Sequence, residues 1–101
     1  DRGFVIKLVF DSDPAKIGQS IGQLVVHDVA TLPDLVREQG VQVAMLAVTA
    51  KAAQDVADLC VKGGIRAILN YAPINLSVPD TVRVQYLDPV THLQRMTYYL
   101  E

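Results

Sequence analysis

Apolar and polar positions alternate along this chain in a way that predicts strands and helices in turn. Residues 4–10 are β-formers (Phe4, Val5, Ile6, Leu8, Val9, Phe10) broken only by Lys7, and read as a strand. Asp11-Ser12-Asp13-Pro14 then predicts a turn that caps a short helical piece at residues 15–17, ended by Gly18. Leu24-Val25-Val26 predicts a short extended segment. Thr31 suits an N-cap and Pro33 a first helical turn. Leu32, Leu35 and Val36 form the buried stripe of that helix, and Gly40 ends it.

The run from Val41 to Val48 is almost continuously apolar, as in a parallel strand covered on both faces. Thr49 is placed to cap a helix over 50–62, with Ala53, Val56, Ala57 and Cys60 at three- and four-residue spacing. Gly63-Gly64 stops it. A buried strand follows over 65–69, then a loop through Asn70-Tyr71-Ala72-Pro73, then a strand over 82–87. Asp88-Pro89 starts a last helix, with Val90, Leu93, Met96, Thr97 and Leu100 on one face. The order β-α-β-α-β-β-α with short connections predicts an α/β three-layer domain, Rossmann-like, with a mostly parallel sheet. The expected fold lacks its usual first strand and glycine-rich loop: nothing ahead of residue 4 supplies a G-x-G-x-x-G turn. With no initiator Met, the chain reads as a piece of a longer protein.

Composition narrows the function classes. Of 101 residues half are hydrophobic and a fifth charged, which suits a globular core, and a net charge of −2 with scattered basic residues gives no nucleic-acid footprint. The single cysteine excludes a disulfide framework and a cysteine metal cluster. No apolar run reaches the length of a membrane span, and no signal-peptide pattern is present, so a cytoplasmic location is expected. His27 and His92 have no partner at metal-ligand spacing. No nucleophile or acid/base pair is visible, and no enzymatic activity is expected.

In an open parallel sheet, ligands bind beyond the carboxyl ends of the strands. Asp11 ends the first strand, where a carboxylate accepts hydrogen bonds from a ribose diol and repels a 2′-phosphate, favouring NAD over NADP. Capping the next turn is its other reading. Lys16 is placed to flank adenine or a phosphate, and serves equally as a solvated surface lysine. Thr49 caps a helix whose N-terminus also favours an anion. Asn70 and Tyr71, followed by the rigid Pro73, suit stacking or amide binding, or only turn the chain. Asp88 is accounted for by capping. The last helix either packs on its own sheet or is donated to a partner subunit.

Several blocks together carry a family resemblance. The runs FDSDP (10–14) to Gly18, AMLAV (44–48), AQDVAD (53–58), GIRAILNYAP (64–73), LSVP (76–79) and VQYLD (84–88) closely resemble the Rex family of bacterial redox-sensing transcriptional repressors. The likeness covers essentially the whole chain. It implies an N-terminal winged-helix DNA-binding domain, which this chain does not match. It further implies a Rossmann domain for NADH or NAD⁺ (here residues 1–88), and a C-terminal helix (89–101) swapped in a homodimer. By this resemblance Asp11 holds the adenosine ribose, and Val48 and Thr49 line the cofactor cleft. Asn70, Tyr71 and Pro73 lie toward the nicotinamide, and Asp88 transmits the redox state to the DNA-binding domain. The segment Ala47-Val48-Thr49-Ala50 lacks the family's usual proline. The expected function is NADH/NAD⁺ sensing and dimerisation, with cofactor binding weak or absent in this piece alone and operator DNA reached only through the winged helix. The alternatives are a CoA- or NAD-binding domain of an enzyme, and a cofactor-free association module.

Overall fold

A computed structural model describes residues 5–87 of the chain. Asp88 and the expected helix over 89–101 lie outside the described residues. Strands β1 (Val9–Asp11), β2 (Ser20–Ile21) and β3 (Leu24–Asp28) form one sheet in the order β1-β3-β2. Helix α1 (Leu32–Gln39) leads to β4 (Val43–Leu46), and helix α2 (Ala50–Lys62) leads to β5 (Ala67–Asn70) and β6 (Arg83–Tyr86). The last three strands form a second sheet, β4-β5-β6, all parallel.

The two sheets are the halves of one expected fold. A dinucleotide-binding sheet has the strand order 3-2-1-4-5-6, with its first strand between the second and the fourth, and no strand among the described residues joins β1 to β4. Here β1 pairs in parallel with β3 on one side of that position, and β4 opens the other half. Both halves share one core. Leu32, Val36, Leu46, Ala57, Cys60, Ile65, Ile68 and Val82 are buried together, with Leu8 and Phe10 of the first half packed against them. Complete burial of a side chain such as Ile65 or Ile68 stabilises the fold by roughly 1.5–3 kcal/mol.

α1 and α2 cover one face of the β4-β5-β6 sheet. Alternation then sorts the side chains. Ala44, Leu46, Ile68 and Asn70 turn toward the helices, and Val43 and Met45 turn away. The expectation that residues 41–48 are covered on both faces is therefore corrected: Val43 is 43% and Met45 61% exposed. The described residues supply a helical layer on one side only.

Other boundaries also move. The strand expected over 4–10 begins at Val9, because residues 5–8 have no described strand to pair with, and Val5 is 81% exposed. Ser20–Ile21 and Leu24–Val25 make an antiparallel hairpin absent from the sequence reading. Its two-residue loop places Gly22 at φ 62°, the kind of position where a two-residue hairpin needs glycine. Thr31 does not cap α1 with its side chain. It ends a 3₁₀ turn (Val29–Thr31) capped by Asp28, whose Oδ1 accepts from the Ala30 N–H at 3.0 Å. Thr49 does cap α2, its Oγ1 accepting from the Ala52 N–H at 3.3 Å. Burial pushes the Cys60 thiol up to about 11, which keeps it protonated and unreactive at neutral pH. His27 stacks beside Phe10 across the β1–β3 pair, ring centroids 5.8 Å apart.

Candidate functional site

The carboxyl ends of the parallel strands are level within each half-sheet. Asp11 pairs with Asp28, and Leu46 aligns with Asn70 and Asn70 with Tyr86. Two groups of candidate residues therefore sit at strand ends, one on each half.

The first group is Asp11 with Lys16. Residues after Asp11 fold into a tight turn. The Asp13 N–H donates to Asp11 Oδ1 at 2.9 Å, and Asp13 Oδ1 accepts from the Ala15 N–H at 2.9 Å. The Lys16 and Ile17 N–H groups donate to the Asp13 carbonyl. This turn brings Lys16 Nζ to 3.9 Å from Asp11 Oδ2. The Asp13 amide holds the Asp11 carboxyl below its ordinary value of 3.8, with smaller help from the Ser12 amide and the Lys16 charge against an opposing desolvation cost. Asp11 is thus a carboxylate throughout the physiological range. It is pre-oriented by backbone amides, and a carboxylate's lone pairs leave acceptor capacity for further donors. Both readings of Asp11, turn cap and ribose acceptor, are compatible with this geometry.

The second group surrounds the β5 end. An open cleft of about 630 Å³ is lined by residues 70–75 with Tyr86 and Leu87. Asn70 is fully buried, and its carboxamide is committed to the loop. Its Nδ2 donates to the carbonyls of Ala72 and Ile74, both at 3.1 Å, and its Oδ1 accepts from the Ala72 N–H at 3.0 Å. Both of its N–H donors are used, so Asn70 acts on the cleft through the loop it shapes rather than through its own amide. The Tyr71 N–H donates to the Leu46 carbonyl at 2.9 Å, which fastens the loop's start to the β4 end. Tyr71 is half-buried and Pro73 exposed on the cleft wall. Val48 and Thr49 follow the β4 end, past the last registered pair of Leu46 with Asn70, and neither lines the cleft at the β5 end.

Asp11 and Lys16 are thus together, and Asn70, Tyr71 and Pro73 share the cleft, while Thr49 is placed as the cap of α2 and Val48 just ahead of it. The two groups belong to different half-sheets. Asp88 lies outside the described residues. Three residues that sequence reasoning passed over also shape the site: Gln54, Tyr86 and Leu87. Strand alternation signals Tyr86, since it shares a face with Leu46 and Asn70. No local pattern signals Gln54, whose partner Ser77 is far along the chain.

The profile of the family described as CoA binding domain matches residues 1–74. The redox-sensing transcriptional repressor Rex of Chloroflexus aurantiacus is 54% identical over 98% of this chain and 47% of its own length. The Rex protein of a Roseiflexus species is 48% identical over 98% of this chain and 45% of its own. The chain spans about half the length of the curated relatives it matches. Among solved structures, RSP, a Rex-family repressor, in complex with β-NADH superposes with a TM-score of 0.82 at 35% identity, over 97% of this chain and 47% of that one. RSP has also been solved with β-NAD⁺ and operator DNA, and that structure matches with the same TM-score. No helix among the described residues is long and apolar enough to cross a membrane.

Proposed function

The chain belongs to the CoA-binding domain family and, within it, to the Rex group, and on that premise we propose that it is the NADH- and NAD⁺-sensing part of a redox-responsive transcriptional repressor. One observation carries this reading. A carboxylate pre-oriented by backbone amides on one half-sheet and an aromatic, amide-shaped loop on the other both stand at the strand ends, in a fold that superposes on a chain solved with NADH.

The residues fit the two ends of a dinucleotide. Asp11 takes the adenosine ribose diol, and Lys16 flanks the adenine or a phosphate. Val48 and Thr49 line the middle of the cleft. Tyr71 and Pro73 meet the nicotinamide, held in place by Asn70. The dinucleotide supplies a nicotinamide ring whose charge and shape change with its redox state. The chain supplies binding and orientation, and no bond is made or broken. NADH and NAD⁺ share one cleft, and only a difference in their affinity for two dimer arrangements can shift the balance between them. In this reading Asp88 couples the cleft to DNA binding, residues 89–101 form a helix swapped between the subunits of a homodimer, and operator DNA is bound by a separate winged-helix domain, all in the cytoplasm.

Asp11 provides the direct test. The measurement uses an extended form, in which the N-terminal half of the Chloroflexus aurantiacus relative is joined ahead of Asp1. Hydrogen bonds to a charged group are worth about 1.5–3 kcal/mol, so Asp11→Ala should weaken NADH and NAD⁺ alike by roughly tenfold or more. It should also narrow the gap between NADH and NADPH. Unchanged NADH affinity would remove Asp11 from the site. The depressed Asp11 carboxyl contributes stability above its unfolded value, near 3.9, which is lost as pH falls through the lower folded one. Its carboxyl resonance in an NMR titration should accordingly have a midpoint below 3.8. Deleting residues 89–101 should turn a dimer into a monomer by sedimentation. The same mass in both forms would contradict the swapped helix.

A further inference from the structure

The connection from β5 to β6, residues 71–82, crosses between parallel strands without a helix. Such crossovers are usually helical because a helix satisfies its own backbone. Here side chains do that work. Asn70 holds the first turn. Gln54 of α2 holds the middle: its Nε2 donates to the Ser77 carbonyl and its Oε1 accepts from the Ser77 N–H, both at 2.9 Å. A single carboxamide thus reproduces the pair of bonds that a neighbouring strand would make. Its orientation is fixed by a third contact, Nε2 to Asp58 Oδ1 at 2.8 Å. A flipped amide would set oxygen against the Asp58 carboxylate and N–H against N–H at Ser77. Tyr86 of β6 holds the residue before. Its hydroxyl accepts from the Leu76 N–H at 2.8 Å and faces the Leu76 carbonyl at 3.4 Å.

The clamped segment runs straight on from the cleft wall. Residues 70–75 line the cleft, and Leu76 and Ser77 are the next two residues. Gln54 does not line the cleft, yet it sets where the far end of that wall is tied. We infer that Gln54 and Tyr86 are positioning residues, which hold the 71–77 segment in the one conformation that meets the nicotinamide end of NADH and NAD⁺. The inference rests on the NAD(H)-sensing reading and extends it to Gln54, which stands outside the cleft, and to Tyr86, which lines the cleft and ties its wall through the hydroxyl. Their effect is confined to that end, because Asp11 and its turn belong to the other half-sheet.

Two measurements on Gln54→Leu and Tyr86→Phe test this. In the free protein, amide exchange at Leu76 and Ser77 should quicken at least tenfold, with exchange at Ile68 in the β5 core unchanged. In the extended form, NADH affinity should fall at least fivefold while that of ADP-ribose, which lacks the nicotinamide, stays within twofold. A general loss of stability would not separate the two ligands. Tyr86→Phe keeps the ring and removes only the hydroxyl, so it serves if Gln54→Leu fails to fold. Equal losses for NADH and ADP-ribose, or no loss for either, would overturn the positioning role alone. If the unsubstituted extended form binds neither ligand, the NAD(H) reading falls, and this inference falls with it.

Discussion

Asn70→Leu should remove about 3 kcal/mol of stability in urea unfolding, a large share of the roughly 5–15 kcal/mol that a domain of this size has. Asn70 is completely buried and spans three loop contacts. The Ile74 carbonyl and the Ala72 N–H would lose the partner that Asn70 provides. Each buried polar group left without a partner costs roughly 1–3 kcal/mol, the full penalty falling on the enclosed Ala72 N–H and a smaller one on the part-buried Ile74 carbonyl. The Ala72 carbonyl is less affected, since it also accepts from the Ile74 N–H at 2.8 Å. Asn70→Asp separates polarity from shape. It keeps an acceptor for the Ala72 N–H, loses both donors and buries a charge. Desolvation would raise the folded carboxyl above its unfolded value of about 3.9. The charge penalty is therefore absent below that pH, grows as pH rises above it and is complete beyond the raised folded value. Asn70→Asp should lie closer to the parent protein at pH 4 than at pH 7. An equal deficit at both would show that Asn70 is not enclosed as described.

Gly63→Ala should cost about 3 kcal/mol by the same measurement, at the high end for an overpacked site. Gly63 closes α2 with φ −79° and ψ −7°, a conformation open to any residue, so the cause is space alone. A methyl group there would strike Val36 Cγ2 and lie 3.0 Å from both Cα and the carbonyl oxygen of Pro33. The helices α1 and α2 touch at this point through backbone, which cannot yield as a flexible side chain does. Val36→Ala should recover part of the loss in the double variant, giving a coupling energy of about 1 kcal/mol. The Pro33 contact should leave the rest. Gly64→Ala is the contrasting case. Its surroundings are open and its φ is +96°, so the cost is backbone strain of about 1 kcal/mol, with no coupling to Val36. Additivity of Gly63→Ala and Val36→Ala would contradict the close approach.

Much of the fold is legible in the order of residues, for identifiable reasons. Thr49 and the three- and four-residue spacing through Cys60 define α2 because capping and amphipathicity are local. Asp11 stands out because an acidic residue follows an apolar run directly. What escapes depends on residues far away in the chain or beyond the described part. Val43 and Met45 look like core residues in sequence, and only the absence of a described layer over them leaves them exposed. Asn70 reads in sequence either as a polar group presented to a ligand or as part of a turn, and strand alternation turns it inward with Leu46 and Ile68, where its amide shapes the loop. Gln54 looks like one polar position among several on a helix. Its pairing with Ser77 joins two segments that share no local pattern.

The site carries the same lesson. Each half-sheet presents its own candidate residues at its own strand ends, and no local motif joins Asp11 to the 70–75 loop. What unites them is topology: both sets fall on the edge where a doubly wound sheet binds its ligand, on either side of the place of one strand. This is why the family match bears so directly on function, and why the two ligand chemistries it suggests, coenzyme A and a nicotinamide dinucleotide, are separable by experiment. Both carry an adenosine. Only the dinucleotide carries an unmodified adenosine ribose diol and a nicotinamide, the two groups that the proposed site requires.

The most direct measurement is calorimetric titration of the extended form with NADH and NAD⁺, followed by competition with coenzyme A. NADH and NAD⁺ should bind the same single site per chain with unequal affinity, and coenzyme A should displace neither. Displacement of NADH by coenzyme A, or no heat of binding for NADH at all, would contradict the NAD(H)-sensing account.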